Sequence, residues 1–173
     1  MAGFKYKKSF IGENARAIND YIIGDTQTLV VGYLVNLATG YLNPADTTER
    51  LLGVVVGFVD AQGRSLDDKE ADYDGTYTAS SNTYVSAADN TTDKKIRALV
   101  DISPYSIYSA TPDATIGTTT GSNLPGYYCD TSTSAPDESG ASTSAAQLNI
   151  WGLDPDDSTK GLYSIAEHQL FGL

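Results

Sequence analysis

Three apolar runs follow one another between Leu29 and Val59, and few folds accommodate them. The first is Leu-Val-Val-Gly-Tyr-Leu-Val-Asn-Leu-Ala, closed by Thr39-Gly40; Tyr-Leu-Asn-Pro-Ala follows, and after a polar connector comes Leu-Leu-Gly-Val-Val-Val-Gly-Phe-Val. Valine, leucine and tyrosine suit a pleated, half-buried surface, where β-branched and aromatic side chains pack well. Thr39-Gly40 supplies a residue free to take positive φ between two apolar runs, which predicts a hairpin. The run Leu51–Val59 is nearly continuous in apolar residues, as in a strand buried on both faces or a buried helix. Gly53, Gly57 and the triple valine favour the strand. The expected fold is all-β: a small β-barrel or sandwich with Leu51–Val59 through its middle, long polar loops and an extended N-terminal arm.

The 173 residues suit a single domain, able to bury about 70% of the surface its unfolded chain exposes without help from disulfides. Cys129 is the one cysteine, so no internal disulfide forms. No apolar leader and no long uncharged run is visible, so neither a signal peptide nor a membrane span is expected. The formal net charge of −11 repels phosphate backbones and disfavours a nucleic-acid partner. Twelve tyrosines, set against four phenylalanines and one tryptophan, fit half-buried sheets or interfaces, because the ring is apolar and the tip polar.

Residues 1–12 hold three of the eleven basic side chains, Lys5, Lys7 and Lys8, interleaved with Phe4, Tyr6 and Phe10, and no acid. The segment reads as a frayed terminus or as an arm docking on an acidic neighbour, with Phe4, Lys5, Tyr6, Lys7, Lys8 and Phe10 as the candidate interface. The remainder, 13–173, is one β domain with low-complexity loops at 76–92 and 131–145. Strands are expected at Tyr21–Ile23, Thr83–Ser86, Lys95–Ile102, Gly126–Asp130 and Gln147–Gly152. Single helical turns are expected after Asn43-Pro44 and Asp154-Pro155. Leu162–Phe171 alternates without a clean apolar face and reads as an edge or interface strand.

Chemistry-bearing patterns are sparse. Glu70-x-Asp72-x-Asp74-Gly75 begins like a calcium loop, but the twelfth position is Ser81 where a bidentate glutamate is needed, so a solvated acidic loop is the expectation. Asp154, Asp156 and Asp157 read the same way. His168 and Cys129 each stand alone, and no nucleophile elbow, phosphate loop or multi-His/Cys metal spacing is present. Neither a cofactor nor a metal is expected, nor catalysis. Paired carboxylates for glycoside hydrolysis are an alternative, since acids are plentiful, but Glu13, Glu49, Glu70 and Glu138 fall on expected loops and only Glu167 on a strand.

Residues 28–59 resemble head decoration (cement) and related capsid-associated proteins of tailed bacteriophages. The resemblance rests on Gly32-Tyr-Leu-Val35-Asn-Leu37, Gly40-Tyr41-Leu42, Pro44-Ala45 and Leu52-Gly53-Val54. Tyr33 departs from the family pattern, which has an acid after the first glycine. The resemblance implies a compact β-barrel that binds and stiffens the outside of an icosahedral shell, often as a trimer. The major capsid protein would be the partner, and the protein, made in the host cytoplasm, would sit on the capsid surface of the virion. A tail or head–tail joining module, or a carbohydrate-binding or -hydrolysing β-protein, are the competing readings.

Overall fold

A computed structural model describes residues 3–11, 16–113, 116, 124–132, 135–142 and 146–170. In chain order the strands are β1 (Lys5–Ser9), β2 (Ile18–Ile22), β3 (Thr28–Val30), β4 (Leu34–Ala38), β5 (Tyr41–Pro44), β6 (Gly53–Val59), β7 (Thr76–Thr78), β8 (Thr83–Val85), β9 (Arg97–Asp101), β10 (Ser106–Ala110), β11 (Tyr128–Ser132), β12 (Ala135–Ser142), β13 (Leu148–Asp154) and β14 (Asp157–Ile165). They form three antiparallel sheets: β1-β10-β14-β13-β11-β12, β2-β9-β6-β4-β5, and β3-β8-β7. None closes on itself, so of the two expected architectures the chain takes the sandwich.

The five-stranded sheet is the middle layer, and β6 is its middle strand. Val54 and Leu34 face the six-stranded sheet, packing with Tyr108, Leu148, Ile150 and Tyr163. Val35, Leu42, Val55, Phe58 and Val100 face the other way, against Leu29 and Tyr84 of the small sheet. A strand covered on both sides has no polar face, which is why Leu51–Val59 reads as an unbroken apolar run. A bulge between Val55 and Gly57 resets the alternation. It lets Val55 and Phe58, three residues apart, enter the same core.

The hairpin β4–β5 turns at Thr39 and Gly40, with φ of 53° and 88°. Two positive φ values give the mirror-image turn whose twist matches the flanking strands, as the Thr-Gly pair predicted. Pro44 ends β5, an edge strand, where a missing N–H is tolerated. No helical turn follows it. Asp46 accepts from the N–H and the hydroxyl of Thr48 at 2.8 Å each, and this side-chain turn replaces the expected one.

Other expectations are corrected. Asp154-Pro155 opens no helical turn; Asp154 pairs with Asp157 across a tight β-turn into β14. β14 is central, hydrogen-bonded to both β10 and β13, and is not an edge. Its faces look mixed because Tyr163 and Ile165 enter the core while buried Ser164 faces the opposite way. The loop expected at 76–92 contains the β7–β8 hairpin, with Tyr84 fully buried at its centre. Within 131–145, β12 pairs with β11 through an irregular register, Tyr128 opposite Ser142 and Asp130 opposite Asp137. Most of 114–123, together with Phe171, lies outside the described residues.

Candidate interaction surface

The segment expected as an extended arm is instead the edge strand β1, paired along β10. Phe4 is 3% exposed and meets Tyr108 and Tyr163 edge-on at 6.4 and 6.1 Å. Its N–H donates to the Gly32 carbonyl at 2.8 Å. Burying a phenylalanine contributes about 2 kcal/mol, enough to hold a terminal strand in place. Tyr6 packs against the same core under the Arg16 guanidinium, 4.6 Å from its ring. Lys7 lies 3.0 Å from both Asp154 and Asp156, whose hydrogen bonds raise its pKa above the ordinary lysine range. The acidic neighbour that the lysines suggested is therefore, for Lys7, this chain's own β13–β14 turn. Lys5 and Lys8 are exposed and make no ion pair among the described residues. A bulge between Tyr6 and Lys8 bends the strand there, a common feature of sheet edges.

Beyond β1, Phe10 crosses onto the outer face of the six-stranded sheet. Its ring lies 5.7 Å from Trp151, tilted by 34°, and Tyr105 braces it edge-on at 5.3 Å. The three rings are 49%, 47% and 41% exposed for Phe10, Trp151 and Tyr105. Part-exposed aromatic side chains gathered in this way make an apolar patch of the kind found at interaction surfaces. Trp151 is fixed, since its indole N–H donates to the Ser164 hydroxyl at 2.9 Å. A groove of about 270 Å³ runs between Phe10, Tyr128, Trp151 and Glu167. A second, of about 260 Å³, opens on the other side of Trp151 along Pro125 and Gly126. Asn149 lines both.

Of the six predicted interface residues, the fold brings Lys5 and Lys8 to a sheet edge left unpaired among the described residues, and Phe10 to the aromatic face. Phe4, Tyr6 and Lys7 are engaged by the chain itself. Sequence reasoning missed Tyr105, Tyr128, Asn149 and Trp151 as a group. The signal was present in β13: Leu148, Ile150 and Gly152 turn inward, which leaves Asn149, Trp151 and Leu153 on the outer face.

The remaining titratable groups hold the scaffold together. His168 is buried; one ring nitrogen bonds the Ile102 carbonyl at 3.0 Å and the other accepts from the Leu170 N–H at 3.1 Å. Desolvation lowers its pKa, and the bond to Ile102 opposes this only partly. Cys129 is buried in the core between the large sheets. In the acidic loop, Asp67 accepts from the Tyr77 hydroxyl at 3.0 Å and Asp72 pairs with Lys94 at 2.9 Å. Among the described residues no three His, Cys, Asp or Glu side chains are gathered to hold a metal ion.

Asp60 organises the neighbouring loop. Its carboxylate accepts from the N–H groups of Gln62, Arg64 and Asp72 at 2.9, 2.8 and 3.2 Å, and from the Arg64 guanidinium at 2.8 Å. Burial pushes the carboxyl up, but these bonds outweigh it and bring its pKa from 3.8 to about 2. Asp154 is held low in the same way: burial opposes, while Ser109, the Asp156 N–H and Lys7 prevail.

These directions set the acid response. A histidine with a depressed folded pKa contributes stability above its ordinary 6.5, and that contribution is lost as pH falls below it. A carboxyl with a depressed folded pKa contributes above its ordinary 3.8, and this is lost as pH falls toward the folded value, about 2 for Asp60. Urea unfolding midpoints should therefore fall in two stages on acidification. His168→Gln should remove the first stage and leave the second. A midpoint flat from neutrality to pH 4 in the parent protein would contradict the assignment.

No protein-family model matches the chain, and no curated protein matches it. A similar solved structure is the crystal structure of the pre-mature bacteriophage phi29 gene product 12. It shares 15% identity and a TM-score of 0.44 over 96% of this chain. The match takes in 22% of that chain's length.

Proposed function

We propose that this chain is a structural protein of a phage virion that decorates and stiffens the outer surface of the capsid as a trimer, bound to the major capsid protein. The role is non-enzymatic and uses no cofactor. The observation that carries the reading is a basic sheet edge, unpaired among the described residues, on a strongly acidic molecule. Lys5 and Lys8 are exposed on β1, the last strand of its sheet, while the chain as a whole carries −11. A positive strip on a negative body directs docking to an acidic surface and orients the molecule on it. The phage-like stretch at 32–54 forms the β4–β5 hairpin at one end of the middle sheet and leads into its central strand β6, which supports the same reading. In a trimer, modest contacts from each copy add through effective concentration, so a small edge suffices for firm retention.

Deleting the first ten residues would remove Phe4 from the core, so charge reversal is the cleaner test. Lys5→Glu with Lys8→Glu should leave the unfolding midpoint nearly unchanged, since exposed charges contribute little to stability. Co-sedimentation with shells lacking this protein should fall about tenfold or more, in line with loss of rim charge complementarity. Full retention of the double variant on shells would overturn the assignment of β1 as the docking edge.

A further inference from the structure

We propose that the two grooves flanking Trp151 form a binding site for a neutral oligosaccharide. Four observations converge there. The indole is pinned by Ser164, so one aromatic face is presented to solvent without loss of rotamer freedom on binding. The grooves lie on either side of it, about 270 and 260 Å³, and share Trp151 and Asn149 as their common wall. That arrangement suits a ligand made of linked units, one per groove. Next, the Asn149 amide, the Tyr128 phenol and the Glu167 carboxylate line the first groove. None of the three makes a side-chain hydrogen bond among the described residues. They supply donors and acceptors of both kinds at the rim of an aromatic floor. Finally, neither groove is lined by lysine or arginine, and Glu167 is the only ionisable acid in their walls.

The chemistry of these walls selects the ligand class. A sugar ring has one face of C–H groups and an equator of hydroxyls. The C–H face carries slight positive charge and settles on the negative face of the indole. The hydroxyls donate to Glu167 and exchange bonds with Asn149 and Tyr128. A phosphorylated or carboxylated glycan would meet Glu167 and the net charge of −11 with no cation in the walls to offset them. A nucleic acid is disfavoured on the same ground. A fully apolar partner would bury the three polar tips without a hydrogen-bond partner.

Trp151 is the only tryptophan in the chain, so its fluorescence reports on this site alone. The purified 173-residue chain would be titrated with three neutral tetrasaccharides: β-linked glucose, α-linked glucose and β-linked N-acetylglucosamine. At least one should give a saturable change in intensity with Kd of about 1 mM or tighter. Asn149→Ala and Glu167→Gln should each weaken it about tenfold, the loss expected for one directed hydrogen bond. Circular dichroism of each variant confirms that the sheets are intact. No saturable change with any of the three at about 20 mM would overturn the proposal. So would saturation by a proline-rich peptide in their place, or saccharide binding undiminished in both variants. The titration uses no virus particles, so it stands or falls separately from the shell-binding role.

Discussion

Gly53→Ala is expected to be among the most damaging single substitutions in this protein. A Cβ at Gly53 would lie 2.2 Å from the Asp101 carbonyl oxygen and 2.7 Å from Val100 Cγ1. The first of these is backbone of the partner strand, so no rotamer change relieves it. β6 and β9 would have to separate at the centre of the middle sheet, where both faces are packed. Overpacking of a tight core costs about 3 kcal/mol, a large part of a total stability of about 5–15 kcal/mol. Gly57→Ala is the control within the same strand, because its Cβ would meet only Leu99 Cδ1 at 3.6 Å, an ordinary contact. Denaturant midpoints should fall sharply for the first and shift by about 0.5 kcal/mol or less for the second. Equal effects would show that β6 and β9 do not approach as described.

Asp101→Ala is the second large effect. The carboxylate is fully buried and ends β9 in the middle sheet. It accepts from Arg16 at 3.0 Å, from the Ser103 N–H at 3.2 Å and from the Ser106 hydroxyl, at the start of β10, at 3.1 Å. One side chain thus joins the middle sheet to the large one and fixes the arginine that covers Tyr6. Removing it leaves a guanidinium and two buried donors without their acceptor, at a cost of about 3 kcal/mol. Arg16→Ala should cost far less, about 1 kcal/mol, because Arg16 is partly exposed and the two serine contacts remain. Reversal of that order, measured by urea unfolding at neutral pH, would contradict the assigned network.

What the sequence revealed and what it hid divide along a physical line. The Thr39-Gly40 hairpin and the double-sided burial of Leu51–Val59 are written locally, in positive-φ residues and in an absence of polar alternation. β10 is not. Ser106-Ile-Tyr-Ser-Ala is entirely buried, and its serines are tolerated there because Asp101 and Asp154 accept from them. Those partners lie 5 and 45 residues away, and the second is invisible to any local pattern. β12 was hidden because its pairing is made by backbone groups that composition does not report. Pro44 and Pro155 suggested helical turns, yet each sits where a strand edge or tight turn also accepts proline. The aromatic surface is a product of topology: Phe10, Tyr105 and Trp151 are far apart in sequence and meet only because β1, β10 and β13 belong to one sheet.

The central claim is a place on the outside of a capsid, and copy number tests it most directly. Purified virions carrying this protein would be digested and quantified by mass spectrometry against the major shell protein. The account predicts a fixed stoichiometric fraction of the shell subunits, amounting to hundreds of copies per particle. A count of a few dozen or fewer would move the protein to the tail or its junction, and absence from particles would contradict the virion role altogether.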